Sequence, residues 1–238
     1  MLDKFLMEPQ NMHARESILM DKLSFDLKLA AAKNDYYLKS YYSTVDHDGF
    51  DLILDDDDVI KKLQVKTVST STTTSSWGIH KDIFRLTQDL VELLGYTATP
   101  DSVGLFGGVI LQEFDASNNS LTIDYYYTDM LIITMYANNL LKSSTNNIDG
   151  IAQKHLSNVF TGSRKDKVYI PKSLFIRSNS PESLLSMIGL HGNGTVGWIE
   201  YAKSYVSHVN NSTDLYSIGG MSLPMLESEL KLSYSKLT

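Results

Sequence analysis

The sequence predicts an α/β fold, with a mixed central sheet flanked by helices and a C-terminal α/β extension. Three observations predict it. Apolar residues recur at helical spacing in a long segment near the N-terminus. Alternating, strand-like segments follow it directly, folded about an acidic turn. Further strand-like and helix-like stretches continue the pattern towards the C-terminus. The 238 residues suit one domain, with a core over residues 10–137 and closing strand and helices over residues 138–238.

The first helix is expected over residues 13–33, where Ile18, Leu19, Leu23, Leu27 and Ala30/Ala31 form one stripe and Asn34 acts as a stop. The aromatic alternation of residues 36–42 predicts a strand, and Asp46 to Gly49 is turn chemistry. Residues 50–54 and 59–68 read as two strands around a solvated turn, Asp55 to Asp58, and residues 69–76 as a Ser/Thr loop. A second helix is expected over residues 79–94, with Ile83, Leu86, Leu90, Leu93 and Leu94 on its apolar face and Gly95 at its end. Strands are expected near residues 103–114 and 121–136, joined by a polar hairpin. Residues 138–167 read as a polar loop with a short helix, and residues 168–176 as a strand. Ser180-Pro181-Glu182 opens a helix running to Leu190, with serine as N-cap and proline in the first position. A last helix is expected over residues 194–209, and residues 216–238 give no decisive pattern.

Composition excludes several classes. There are no cysteines, so disulfides, thiolate metal sites and cysteine nucleophiles are ruled out. No apolar run approaches the roughly 18 residues of a membrane span, and the first ten residues lack the apolar stretch of a secretory leader. A cytoplasmic protein with no membrane partner is therefore expected. The net charge of −7 argues against a general nucleic-acid coat but leaves room for a local basic patch.

The chemistry concentrates between Asp46 and Thr67. If the two strands turn symmetrically between Asp56 and Asp57, Asp51 faces Lys62 and Gly49 faces Gln64. Alternation then sets Gln64 and Lys66 on the same side as Asp51, with Leu63, Val65 and Thr67 on the other. A carboxylate, an amide oxygen and an ammonium on one sheet face have a clear use. Hard cations such as Mg²⁺ take oxygen ligands, a bound metal activates water, and a lysine stabilises charge developing on a phosphate.

Gly49-Phe50-Asp51, a hairpin, and then Gln64-Val65-Lys66 at a 13-residue offset from Asp51 resemble the PD-(D/E)XK nuclease superfamily in a Gln-x-Lys variant. The resemblance covers residues 10–95. It implies a restriction-endonuclease-like core and Mg²⁺- or Mn²⁺-dependent hydrolysis of DNA, in restriction or another defence or genome-maintenance role. It assigns Asp51 and Gln64 as metal ligands and Lys66 as the residue that orients the nucleophile. It further implies an acidic residue from the preceding helix. Glu16 fits best, with Asp21 and Asp26 as alternatives. Homodimerisation is implied by resemblance alone, with residues 138–238 as the region for DNA contact or dimerisation. A catalytically inactive protein of the same fold, binding nucleic acid or a protein partner, is the alternative.

Other features have plainer readings. Asp46 to Asp51 resembles part of a calcium loop, but position twelve is Asp57 and a strand intervenes. His191-Gly-Asn193 with His208 lacks the paired spacing of a zinc site. Arg85 and Gln88 belong to an ordinary polar helix face or approach a phosphate, and the basic stretch from Lys154 to Lys167 is a mobile loop or a phosphate contact.

Overall fold

A computed structural model describes residues 1–43, 49–97, 103–191, 197–211 and 216–238. Asp46 and Asp48 of the expected turn, and Asn193 of the His-Gly-Asn motif, lie outside the described residues.

Helix α1 (Leu2–Met7) precedes the long α2 (Met12–Ala32), which buries Leu19, Leu23, Leu27, Ala30 and Ala31. Strands β1 (Lys39–Tyr42), β2 (Leu52–Asp55) and β3 (Ile60–Ser69) follow. After β4 (Ser76–His80), α3 (Lys81–Phe84) and α4 (Gln88–Leu93) come β5 (Gly108–Asp115) and β6 (Thr122–Asp129). The chain continues through α5 (Met130–Ala137), α6 (Ile148–Phe160), β7 (Lys167–Pro171) and β8 (Ile176–Arg177). It closes with α7 (Pro181–Ile188), α8 (Trp198–Asn210) and α9 (Leu223–Leu237).

The main sheet has six strands in the order β1-β2-β3-β5-β6-β8, and β4 and β7 form a separate pair. It is mixed: β3 and β5 are parallel, while the other neighbours in the sheet are antiparallel. Helices flank it. Helix α2 is tied across one face, through Ser24 to Ser40 of β1, Leu19 to Gln112 of β5 and Asp26 to Tyr125 of β6. Leu23 and Leu27 of α2 share one core with Leu52, Leu54 and Leu63 of the sheet and with Ile83, Ile132 and Leu184 of later helices. The region 138–238 is woven into this core, because β8 is the sixth strand and β7 pairs with β4.

Four expectations need correction. Residues 79–94 are not one helix. Ile79 lies in β4, and the chain is extended at Arg85. Residues 104–107 run beside this stretch and donate to the carbonyls of Asp82, Ile83, Arg85 and Leu86, replacing the bonds a continuous helix would make. Residues 121–136 are not one strand. The strand stops at Asp129, whose carboxylate accepts from Ile132 N–H at 2.8 Å and caps α5. All eight residues of α5 are buried, so it carries no amphipathic period to separate it from a buried strand. Residues 138–167 hold the 13-residue α6, and residues 168–176 split into β7, a short 3₁₀ turn and β8.

The β2–β3 hairpin also differs in detail. Leu52 pairs with Leu63, which brings Asp51 level with Gln64. The turn is centred one position later than expected, with Asp57 in the left-handed region at φ 72°. Nor is it fully solvated. The Asp56 carboxylate is buried and accepts from His191 N–H at 2.9 Å, with His191 Nδ1 at 2.8 Å. His191 stacks on Tyr36 with ring centroids 4.0 Å apart.

Candidate active site

β3 pairs with β5 on one edge from Leu63 to Ser69, but with β2 on the other edge only from Ile60 to Leu63. The last backbone bond between them is Asp51 N–H to Leu63 C=O at 2.9 Å. Beyond it, Asp51 serves as a side-chain cap, with Oδ2 accepting from Val65 N–H at 2.7 Å. Residues 66–69 thus have no strand on that edge among the described residues. The first half of α2 passes over the gap and leaves a cleft of ≈ 690 Å³.

The cleft is lined by Glu16 and Asp21 from α2, by Asp51, by Lys66 and Thr67 from β3, and by Gln112 from β5, among others. Three of the four expected residues are therefore brought together. Glu16 is half-exposed, with His13 Nδ1 3.8 Å from its carboxylate. Asp21 shares the cleft. Asp26 does not: it is held by Lys22 at 2.5 Å and by the Tyr125 hydroxyl at 2.6 Å. Lys66 is partly buried, and among the described residues it makes no ion pair.

Gln64 stands apart. It is buried, absent from the cleft lining, and its Oε1 accepts from His80 N–H at 3.3 Å. Gln64 shares its face of β3 with Lys66, but its oxygen is turned to His80 N–H, where β4 passes into α3. Its amide oxygen therefore supports the β4–α3 junction. Gln112, which the sequence reading missed, is fully buried and lines the cleft. Its signal was a lone amide inside the apolar run Val109-Ile-Leu-Gln112, where a strand would otherwise be hydrophobic.

Arg85 and Gln88 do not line the cleft. Arg85 is fully buried and donates to the carbonyls of Val159 at 2.8 Å, Thr161 at 3.3 Å and Gly162 at 2.9 Å. It is a staple between α3 and the end of α6. In the basic stretch, Lys154 and His155 sit on α6, and Arg164 pairs with Asp82 at 2.7 Å.

The cleft donors for a cation are all oxygens, the set that a hard divalent ion prefers. Among the described residues, no group of three or more His, Cys, Asp or Glu converges closely enough to hold a metal. A metal here would be held by fewer carboxylates, with neutral oxygens and water completing the shell, as Mg²⁺ commonly accepts. The buried Oε1 of Gln112, which has no hydrogen-bond partner, fits that need.

No protein-family model matches the chain, and neither does any curated protein or any solved structure. Among the described residues, no helix is long and apolar enough to cross a membrane.

Proposed function

We propose that the chain is a metal-dependent endonuclease of restriction or defence type, built on a restriction-endonuclease-like core, that hydrolyses DNA phosphodiester bonds with Mg²⁺ or Mn²⁺. The observation that carries the reading is the cleft at the open edge of β3. There Glu16 of α2, Asp51 just before β2 and Lys66 of β3 line one solvent-reachable space. The αβ-hairpin order that precedes it supports the same reading, because α2, β2 and β3 follow the order of the resemblance.

In this reading Asp51 and Glu16 hold the metal, which supplies an activated water and charge neutralisation when bound. Val65 N–H holds Oδ2 of the Asp51 carboxylate at 2.7 Å and so orients the group at the cleft wall. The Lys66 ammonium orients the attacking water and neutralises charge growing on the phosphate. DNA is the substrate, and a homodimer would place two such clefts on a two-fold symmetric site.

A second reading has its own support. Gln64 stands where a carboxylate ligand is usual, and its oxygen is engaged by His80 N–H. Weakened metal binding would leave a nuclease-fold protein that binds nucleic acid or a protein partner without cutting.

Cleavage of plasmid and single-stranded DNA with Mg²⁺ or Mn²⁺ separates the two. The wild type is expected to cut, with Lys66→Ala and Asp51→Ala reduced at least about 100-fold, the scale of a lost charge-stabilising group. Equal cutting by all three would place the activity elsewhere. No cutting by any folded variant, across substrates of varied sequence, would favour the binding protein.

A further inference from the structure

Two glutamines lie near the open edge of β3, and their amides have opposite situations. Gln64 Oε1 is engaged by a backbone N–H. Gln112, on the neighbouring parallel strand and in register with Thr67, donates Nε2–H to Leu19 C=O at 2.9 Å. A carbonyl only accepts, so the nitrogen must face α2 and the assignment of the amide is not interchangeable. That leaves Oε1, which is buried and has no partner, on a side chain that lines the cleft.

A buried amide oxygen left unpaired is destabilising, and on a side chain that lines a cleft it can be satisfied by a ligand. The ligand must offer a hydrogen-bond donor or a positive charge. Glu16, Asp21 and Asp51 line the same cleft and favour a cation over an anion. Resting on the metal-dependent reading above, we infer that Gln112, and not Gln64, supplies the neutral oxygen that binds a hydrated divalent cation, directly or through one of its waters. The position that the sequence motif leaves without a carboxylate would thus be served from the adjacent strand.

The test is Mn²⁺ binding to the full chain, followed by the loss of the free-ion electron paramagnetic resonance signal, with circular dichroism and thermal melting to confirm the fold. Gln112→Met keeps the volume and removes the oxygen. It is expected to weaken Mn²⁺ binding about tenfold or more, the scale seen when groups that support a metal are lost. Gln112→Glu restores an oxygen at the same reach and is expected to bind at least as tightly as wild type, with added proton release. Gln64→Met is expected to stay within about twofold. Should Gln112→Met fail to fold, Gln112→Glu decides alone, and binding and proton release unchanged from wild type would overturn the inference. Wild-type affinity in Gln112→Met, with Asp51→Ala losing binding, would overturn it while leaving the metal reading intact. Absence of saturable Mn²⁺ binding to the wild type would overturn both.

Discussion

The two halves of β3 treat their lysines differently. At the start of the strand, Lys61 is buried, with its ammonium 3.9 Å from the Phe106 ring centroid and 3.3 Å from the Phe106 carbonyl oxygen. Burial pulls its pKa down to about 8, partly countered by the Asp129 charge. Asp129 is buried too, and burial raises its pKa. Five residues on, Lys66 sits in an open cleft with no ion pair among the described residues. The closed end uses its charges to fix elements, whereas at the open end an ammonium and carboxylates line a cleft. A buried strand lysine is therefore not in itself a mark of a site. Cover is what distinguishes the two ends: Phe106 closes over Lys61, and a cleft opens beside Lys66.

The largest expected effect lies at the closed end. Asp129→Ala removes the cap of α5 and leaves Ile132 N–H and the Tyr127 hydroxyl, 3.2 Å away, without an acceptor in a dry core. Urea denaturation should show a loss of about 3 kcal/mol or more, from a lost cap together with stranded buried donors. Asp51→Ala should lose about 1 kcal/mol, since Val65 N–H lies beside an open cleft where water can replace the carboxylate. Equal losses would erase the distinction between the ends.

The next effect is in pH dependence. Lys61 has a folded pKa of about 8, below the ordinary 10.5, so between these values the unfolded chain binds more protons than the folded one. Stability should therefore rise with pH across that window. The penalty is fully present below pH 8 and disappears towards pH 10.5, a change of up to about 3 kcal/mol from this one group. Lys61→Met should flatten the rise between pH 8 and 10, while Lys66→Met should leave it in place. A slope that survives Lys61→Met would show that the ammonium is not desolvated as its packing indicates.

The sequence made the open end easier to read than the closed one. Helix α2 was legible because Leu19, Leu23, Leu27 and Ala30/Ala31, which it buries, recur at helical spacing, although Ile18 of the same expected stripe is exposed; the β2–β3 hairpin was legible because its faces alternate and its turn is acidic. The pairing slipped by two residues, not one, so every side chain kept its face, and Asp51, Lys66 and Glu16 still came to one cleft. Position along a strand does not reveal what an amide will meet, so Gln64 was read as facing the cleft when His80 N–H engages it. Helix α5 was illegible because burial on all sides erases periodicity. The break at Arg85 was hidden because its cause lies in residues 104–107 and in the carbonyls of residues 159–162, far along the chain. Asp56 looked like one more solvated turn residue until His191 was brought onto it.

The smallest effect sharpens the comparison most. Lys66→Met keeps the stem that packs along β3 and deletes only the charge. With no ion pair to break among the described residues, the change in unfolding free energy should stay within about 0.5 kcal/mol, the range of substitutions away from packed or paired groups. Under the proposed function the same variant loses cleavage, so stability and activity part company at this position. At Asp129 they should fall together. A loss above about 1.5 kcal/mol in Lys66→Met would mean that its ammonium is held as firmly as that of Lys61, and the open edge of β3 would then be a second structural centre instead of a place kept free for a ligand.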